Sequence, residues 1–134
     1  METIDFSYNW NNKLAGRFFT TLRLNNPKYQ VGKTFQVRLK GKDLCIVQVA
    51  DFKQLMLEDI NSYIAGLDTG YTVPVCKEVI RKMYPTKNWK TQRLVLVLLQ
   101  VITKKDAQLL ALNEINKSGE GDGVIPQVKE WKPR

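Results

Sequence analysis

The chain has 134 residues, with 21 Lys+Arg against 13 Asp+Glu, a formal charge of +8 and no histidine. This length suits one domain around one core, and 43% hydrophobic residues exclude a disordered or low-complexity chain. Without histidine, Ser-His and Cys-His nucleophile pairs and most zinc sites fall away, and neither metal nor cofactor is expected.

The opening segment mixes Phe6, Tyr8 and Trp10 with Asn9, Asn11, Asn12 and Lys13. A short helix or turn is expected to end at Gly16, since glycine tolerates the left-handed conformation that closes helices. Phe18 to Leu24 is aromatic and β-branched and stops at Asn25-Asn26-Pro27, which predicts a strand and a turn. Phe35, Val37 and Leu39 alternate with Gln36, Arg38 and Lys40, giving a strand with one apolar and one basic face. A turn at Gly41-Lys42-Asp43 leads into Leu44–Ala50, so these strands pair as an antiparallel hairpin.

Leu57, Ile60 and Ile64 recur at helical spacing, predicting a helix over 57–65 that ends near Gly66. Leu67 to Tyr71 reads as a loop containing Asp68. Thr72 then caps a helix with an early Pro74, running to about Tyr84 with Val75, Val79, Ile80 and Met83 as its apolar stripe. Leu94–Leu99 reads as a central strand buried on both faces. Asp106 caps a further helix carrying Leu109, Leu110, Leu112 and Ile115, and the tail beyond it is expected to be mobile. Cys45 and Cys76 lack CxxC spacing and read as reduced thiols. The N-terminus shows no secretory h-region and the longest apolar run is too short for a bilayer, so a cytoplasmic protein without a membrane partner is expected.

The polar strand residues suggest a site. Thr21 and Arg23 share one side of an extended chain while Thr20 and Leu22 face the other, so a hydroxyl and a guanidinium converge on a planar or anionic ligand. Lys13 and Arg17 precede them, and Arg38 and Lys40 follow on another strand, in a basic pattern suited to phosphates. An ordinary ion pair for Arg23, a solvated basic face and a turn role for Asp68 are the structural alternatives. No carboxylate pair stands out by spacing, so no catalytic residue is assigned.

Lys13-Leu14-Ala15-Gly16-Arg17 followed by Thr20-Thr21-Leu22-Arg23 resembles the signature entering the first barrel strand of ASCH domains, members of the PUA-like superfamily. Val31-Gly32-Lys33 resembles the family's next turn, and Ala65 through Tyr71, then Val79 to Pro85, its helix, loop, helix and terminal Tyr-Pro. The resemblance covers about residues 4–102. It implies an α+β fold, a small PUA-like mixed β-barrel with two helices between strands, here over 1–102, with an extra C-terminal helix and tail over 103–134.

It also implies a cleft between barrel and helices that binds RNA, single-stranded nucleic acid or a nucleotide, with Thr21 and Arg23 matching the family's Thr-x-Arg. The candidate binding set is Lys13, Arg17, Thr20, Thr21, Arg23 and Arg38, with Lys40, Asp68 and Tyr71. The acetylcytidine amidohydrolase branch uses a lysine where this chain has Phe18, which removes the amine that this chemistry needs. The alternatives are a hydrolase of a modified nucleoside using Asp68 and Thr21, and a protein-interaction factor docking through its C-terminal extension with Trp131.

Overall fold

The computed structural model describes residues 1–102, of which Met1–Val101 form one compact unit. Its elements are β1 (Thr3–Phe6), a 3-10 segment (Trp10–Ala15), β2 (Phe18–Leu24), β3 (Thr34–Leu39), β4 (Lys42–Met56), a 3-10 turn (Leu57–Asp59), α1 (Ser62–Asp68), α2 (Val73–Met83) and β5 (Arg93–Val101). The helix expected from Asp106, and Trp131, lie outside the described residues.

The strands form one mixed sheet in the order β1-β3-β4-β5-β2, parallel at β1–β3 and antiparallel elsewhere. β4 is the organising strand: residues 42–48 pair with β3 and residues 47–56 with β5, and the register shifts between Val49 and Asp51. A bulge of this kind bends a strand and increases its twist, which lets one long strand serve two neighbours around a curled sheet. The edge strands approach each other without a shared backbone ladder. Phe6 of β1 meets Phe19 of β2 edge to face at 6.1 Å, and Arg23 Nη2 donates to Asp5 O at 2.7 Å. The result is a five-stranded half-barrel, α+β as expected and β-barrel-like, whose seam is closed by side chains.

Two apolar layers follow from strand alternation. Phe35, Val37, Val47, Val97 and Leu99 fill the concave side of the sheet. Leu22, Leu57, Ala65, Cys76, Ile80 and Leu94 join the outer face of β2 and β5 to the helices. β5 therefore contributes to both layers, as its unbroken apolar run implies.

Several local expectations are corrected. Strand β1 was not legible, because four residues with only Ile4 and Phe6 buried give too short an alternation. Gly16 has φ −85, so the 3-10 segment does not close through a left-handed glycine. The hairpin turn is the two-residue Lys40-Gly41, both at positive φ, one step earlier than expected. The predicted helix at 57–65 is instead a 3-10 turn followed by α1, which begins where Asn61 Oδ1 accepts from Ile64 N at 2.9 Å. Asp68 consequently ends a helix rather than lying in a loop. On α2 the buried residues are Cys76 and Ile80, while Val75 and Met83 are exposed, because the helix meets the sheet along a narrower face. Thr72 sits at the N-cap without a side-chain hydrogen bond.

Candidate functional site

Alternation along β2 sends its two threonines opposite ways. Thr21 Oγ1 accepts from Arg23 Nε at 2.8 Å, whereas Thr20 Oγ1 donates to Asp68 Oδ1 at 2.8 Å. Arg23 spans the seam of the half-barrel, with its guanidinium 4.7 Å from the Phe6 ring centroid and its Nη2 on Asp5 O. Two of its three nitrogens thus have protein acceptors, so the residue is structural as well as a candidate ligand contact.

Asp68 is the last residue of α1 and is buried. A carboxylate there faces both desolvation and the negative end of the helix dipole, so it needs opposing charge. Lys13 supplies it, with Nζ 2.8 Å from Asp68 Oδ1. Burial holds the Lys13 ammonium below the ordinary lysine value of 10.5, and the nearby Asp68 partly offsets that shift. The same carboxylate oxygen therefore collects a lysine and a threonine from two separate segments.

A cavity of about 200 Å³ opens between the seam and the helices. Its polar lining residues are Asp5, Ser7, Lys13, Thr21, Arg23, Asp68 and Thr69, and α2 supplies Val79, Ile80 and Met83. Phe6 and Trp10 add aromatic surface. Lys13 is paired with Asp68 and Arg23 already donates through Nε and Nη2, so the cavity favours a neutral polar group with donors and acceptors over a bare anion. Its volume lies below the roughly 300 Å³ at which drug-sized clefts begin. Lys13 also borders a second hollow of about 380 Å³, where Thr20 lies with Asn11, Asn12 and Phe18.

The structure thus gathers Lys13, Thr21, Arg23 and Asp68 around one cavity, with Thr20 bonded to it from behind. Tyr71 stands outside it, edge to face with Trp10 at 5.8 Å. Arg17 is exposed before β2, and its carbonyl accepts from Val101 N. Arg38 and Lys40 do not line the cavity. Arg38 Nη2 donates to Gly41 O at 2.8 Å, and its Nε lies 3.3 Å from Asp43 without hydrogen-bond geometry, while Lys40 is the exposed turn residue. Asp5, Phe6, Ser7 and Thr69 lie outside the candidate set. The first two belong to the unrecognised β1, and Thr69 gave no sequence signal beyond following Asp68. Among the described residues no cluster of three or more acidic or cysteine side chains could hold a metal, and no helix is long and apolar enough to cross a membrane.

No family model matches the chain, and no curated protein matches its sequence. Among solved structures the chain is similar to protein EF3133 from Enterococcus faecalis, described with the family model DUF984, at a TM-score of 0.57 and 12% identity over 81% of this chain and 82% of that one. At such low identity the likeness concerns the fold.

Proposed function

We propose that the protein binds a nucleotide, or one unit of a single-stranded nucleic acid, with the base in the cavity between the half-barrel and the helices. The convergence of Thr21, Arg23, Lys13 and Asp68 on one small cavity carries this reading. A nucleobase is planar, nearly uncharged and edged with donors and acceptors, which suits a cavity whose cations already have partners. The resemblance to ASCH domains in the Thr21-x-Arg23 segment supports the same ligand class, and the +8 charge favours a phosphate-bearing partner.

A binding titration of the full-length chain tests it, with mononucleotides and with single- and double-stranded RNA and DNA over a salt series. Because Arg23 also closes the seam, the diagnostic variant is Met83→Trp, which fills the cavity from an exposed position of α2. Affinity should fall at least about tenfold, equivalent to ~1.4 kcal/mol. Unchanged affinity would remove the cavity from the binding site.

The Lys13–Asp68–Thr20 cluster favours a second reading, hydrolysis of an amide on a modified nucleoside. Phe18 occupies the position of the family's catalytic lysine, yet Lys13 brings an amine to a carboxylate and a threonine by another route. Burial eases formation of the neutral amine that could act as base or nucleophile. Incubation with acetylcytidine decides it: turnover lost in Lys13→Met and in Asp68→Asn supports the reading, and no turnover at high protein concentration ends it.

A further inference from the structure

Trp10 belongs both to the cavity wall and to an aromatic group outside it. Its ring lies 4.8 Å from that of Tyr8 and 5.8 Å from that of Tyr71, both edge to face. Tyr8 is 52% exposed and Tyr71 40%, so two large rings stand in solvent beside the cavity. Isolated exposed aromatics are ordinary, but two that both pack on Trp10 at a cavity rim form a surface with it.

The surface is also held in place. Tyr71 belongs to the loop between α1 and α2, and Trp10 to the N-terminal 3-10 segment, and Asn11 joins the two. Asn11 Nδ2 donates to Gly66 O at 3.2 Å, and its side chain fits so closely on Gly70, at φ +80, that a Cβ there would lie 3.0 Å from Asn11 Oδ1. Asn11 and Asn12 both adopt left-handed backbone, a strained choice for two successive residues. Strain of this kind persists only where surrounding contacts enforce it, here between the aromatic group and Lys13.

We propose that Tyr8, Trp10 and Tyr71 form a stacking platform for the nucleotide next to the one held in the cavity, so that the ligand is a single-stranded oligonucleotide and not a mononucleotide. The inference rests on the cavity reading above and extends it. The cavity of about 200 Å³ has no room for a second base, and its cations, already paired, leave phosphates at the rim. Base-on-aromatic stacking tolerates any base, because every base has a π-face. Aromatic rims also serve neutral glycans, but a chain of net charge +8 complements a polyanionic strand.

The test compares each of the four ribonucleoside monophosphates with its homotrinucleotide, using the full-length chain and a Tyr8→Ala/Tyr71→Ala double variant. The trinucleotide should bind at least about fivefold tighter, the factor expected from one stacked base. The ratio of trinucleotide to monophosphate affinity should fall to about one in the double variant, and Tyr8→Phe/Tyr71→Phe should keep the gain. A trinucleotide no tighter than its monophosphate, or a gain that survives the double alanine variant, overturns the platform and leaves the cavity reading standing. Binding of neither ligand overturns both.

Discussion

Lys13 Nζ and Asp68 Oδ1 meet at 2.8 Å across 55 residues of sequence, with each side chain only 7% exposed. Removing one partner strands the other as a buried charge. Asp68→Ala and Lys13→Met should each destabilise the fold by about 3–5 kcal/mol in urea unfolding, and the double variant Lys13→Met/Asp68→Ala by clearly less than their sum. Additive losses would show that the two charges are solvated independently.

The same pair predicts a pH dependence. Because the folded Lys13 has a pKa below 10.5, the unfolded chain binds more protons between the two values, and this group's contribution to stability rises with pH through that window. Burial raises the Cys76 and Tyr29 values and acts in the opposite direction at high pH, so the comparison is with Lys13→Met. The variant should lose the rising component of the stability profile below pH 10.5. Parallel profiles would mean that Lys13 titrates as in water.

Arg23 is expected to show a mixed phenotype. Its bonds to Thr21 Oγ1 and Asp5 O join the two edge strands, so Arg23→Ala should cost about 2 kcal/mol of stability in addition to any loss of ligand. Arg23→Lys should also fall short, since an ammonium cannot present two donors in the geometry of a guanidinium. Full stability of Arg23→Ala would separate the seam from this residue.

Asn12 has φ 53 and ψ 25. Asn12→Gly should be nearly neutral, and Asn12→Val should destabilise by about 1–2 kcal/mol, because a β-branched side chain resists left-handed backbone. Thermal unfolding of the two variants reads the difference directly.

Cys76 is fully buried between α2 and the sheet, and burial pushes its thiol up from the ordinary value of 9.0. It should resist iodoacetamide in the native protein and react on unfolding. Rapid native labelling at Cys76, located by peptide mass spectrometry, would reveal opening of the helix layer.

Much of the framework was legible locally. The Phe35-Val37-Leu39 alternation, the aromatic and β-branched run at Phe18–Leu24 and the unbroken apolar Leu94–Leu99 segment each name their own strand, because alternation, residue type and an apolar run are each written within six or seven residues. Helix α2 was found from its early proline and its stop before Pro85, yet its buried face was misplaced toward Val75 and Met83. Helical periodicity shows that a face exists, while packing against Leu94 and Leu22 selects Cys76 and Ile80. Strand β1 escaped because its place depends on parallel pairing with β3, a distant segment.

For the site, the sequence by itself determined which chemistry was available: no histidine, an excess of cations, and a Thr21-x-Arg23 pair that an extended chain must place on one side. It could not determine which charges remain open to a ligand. Tertiary structure decided that Lys13 is neutralised by Asp68, that Arg23 closes a seam, and that Arg38 serves a hairpin while Tyr71 joins an aromatic rim. The physical reason is that a strand's side-chain direction follows from local backbone geometry, whereas a buried charge or an orphan donor is satisfied only by partners that folding brings from elsewhere in the chain.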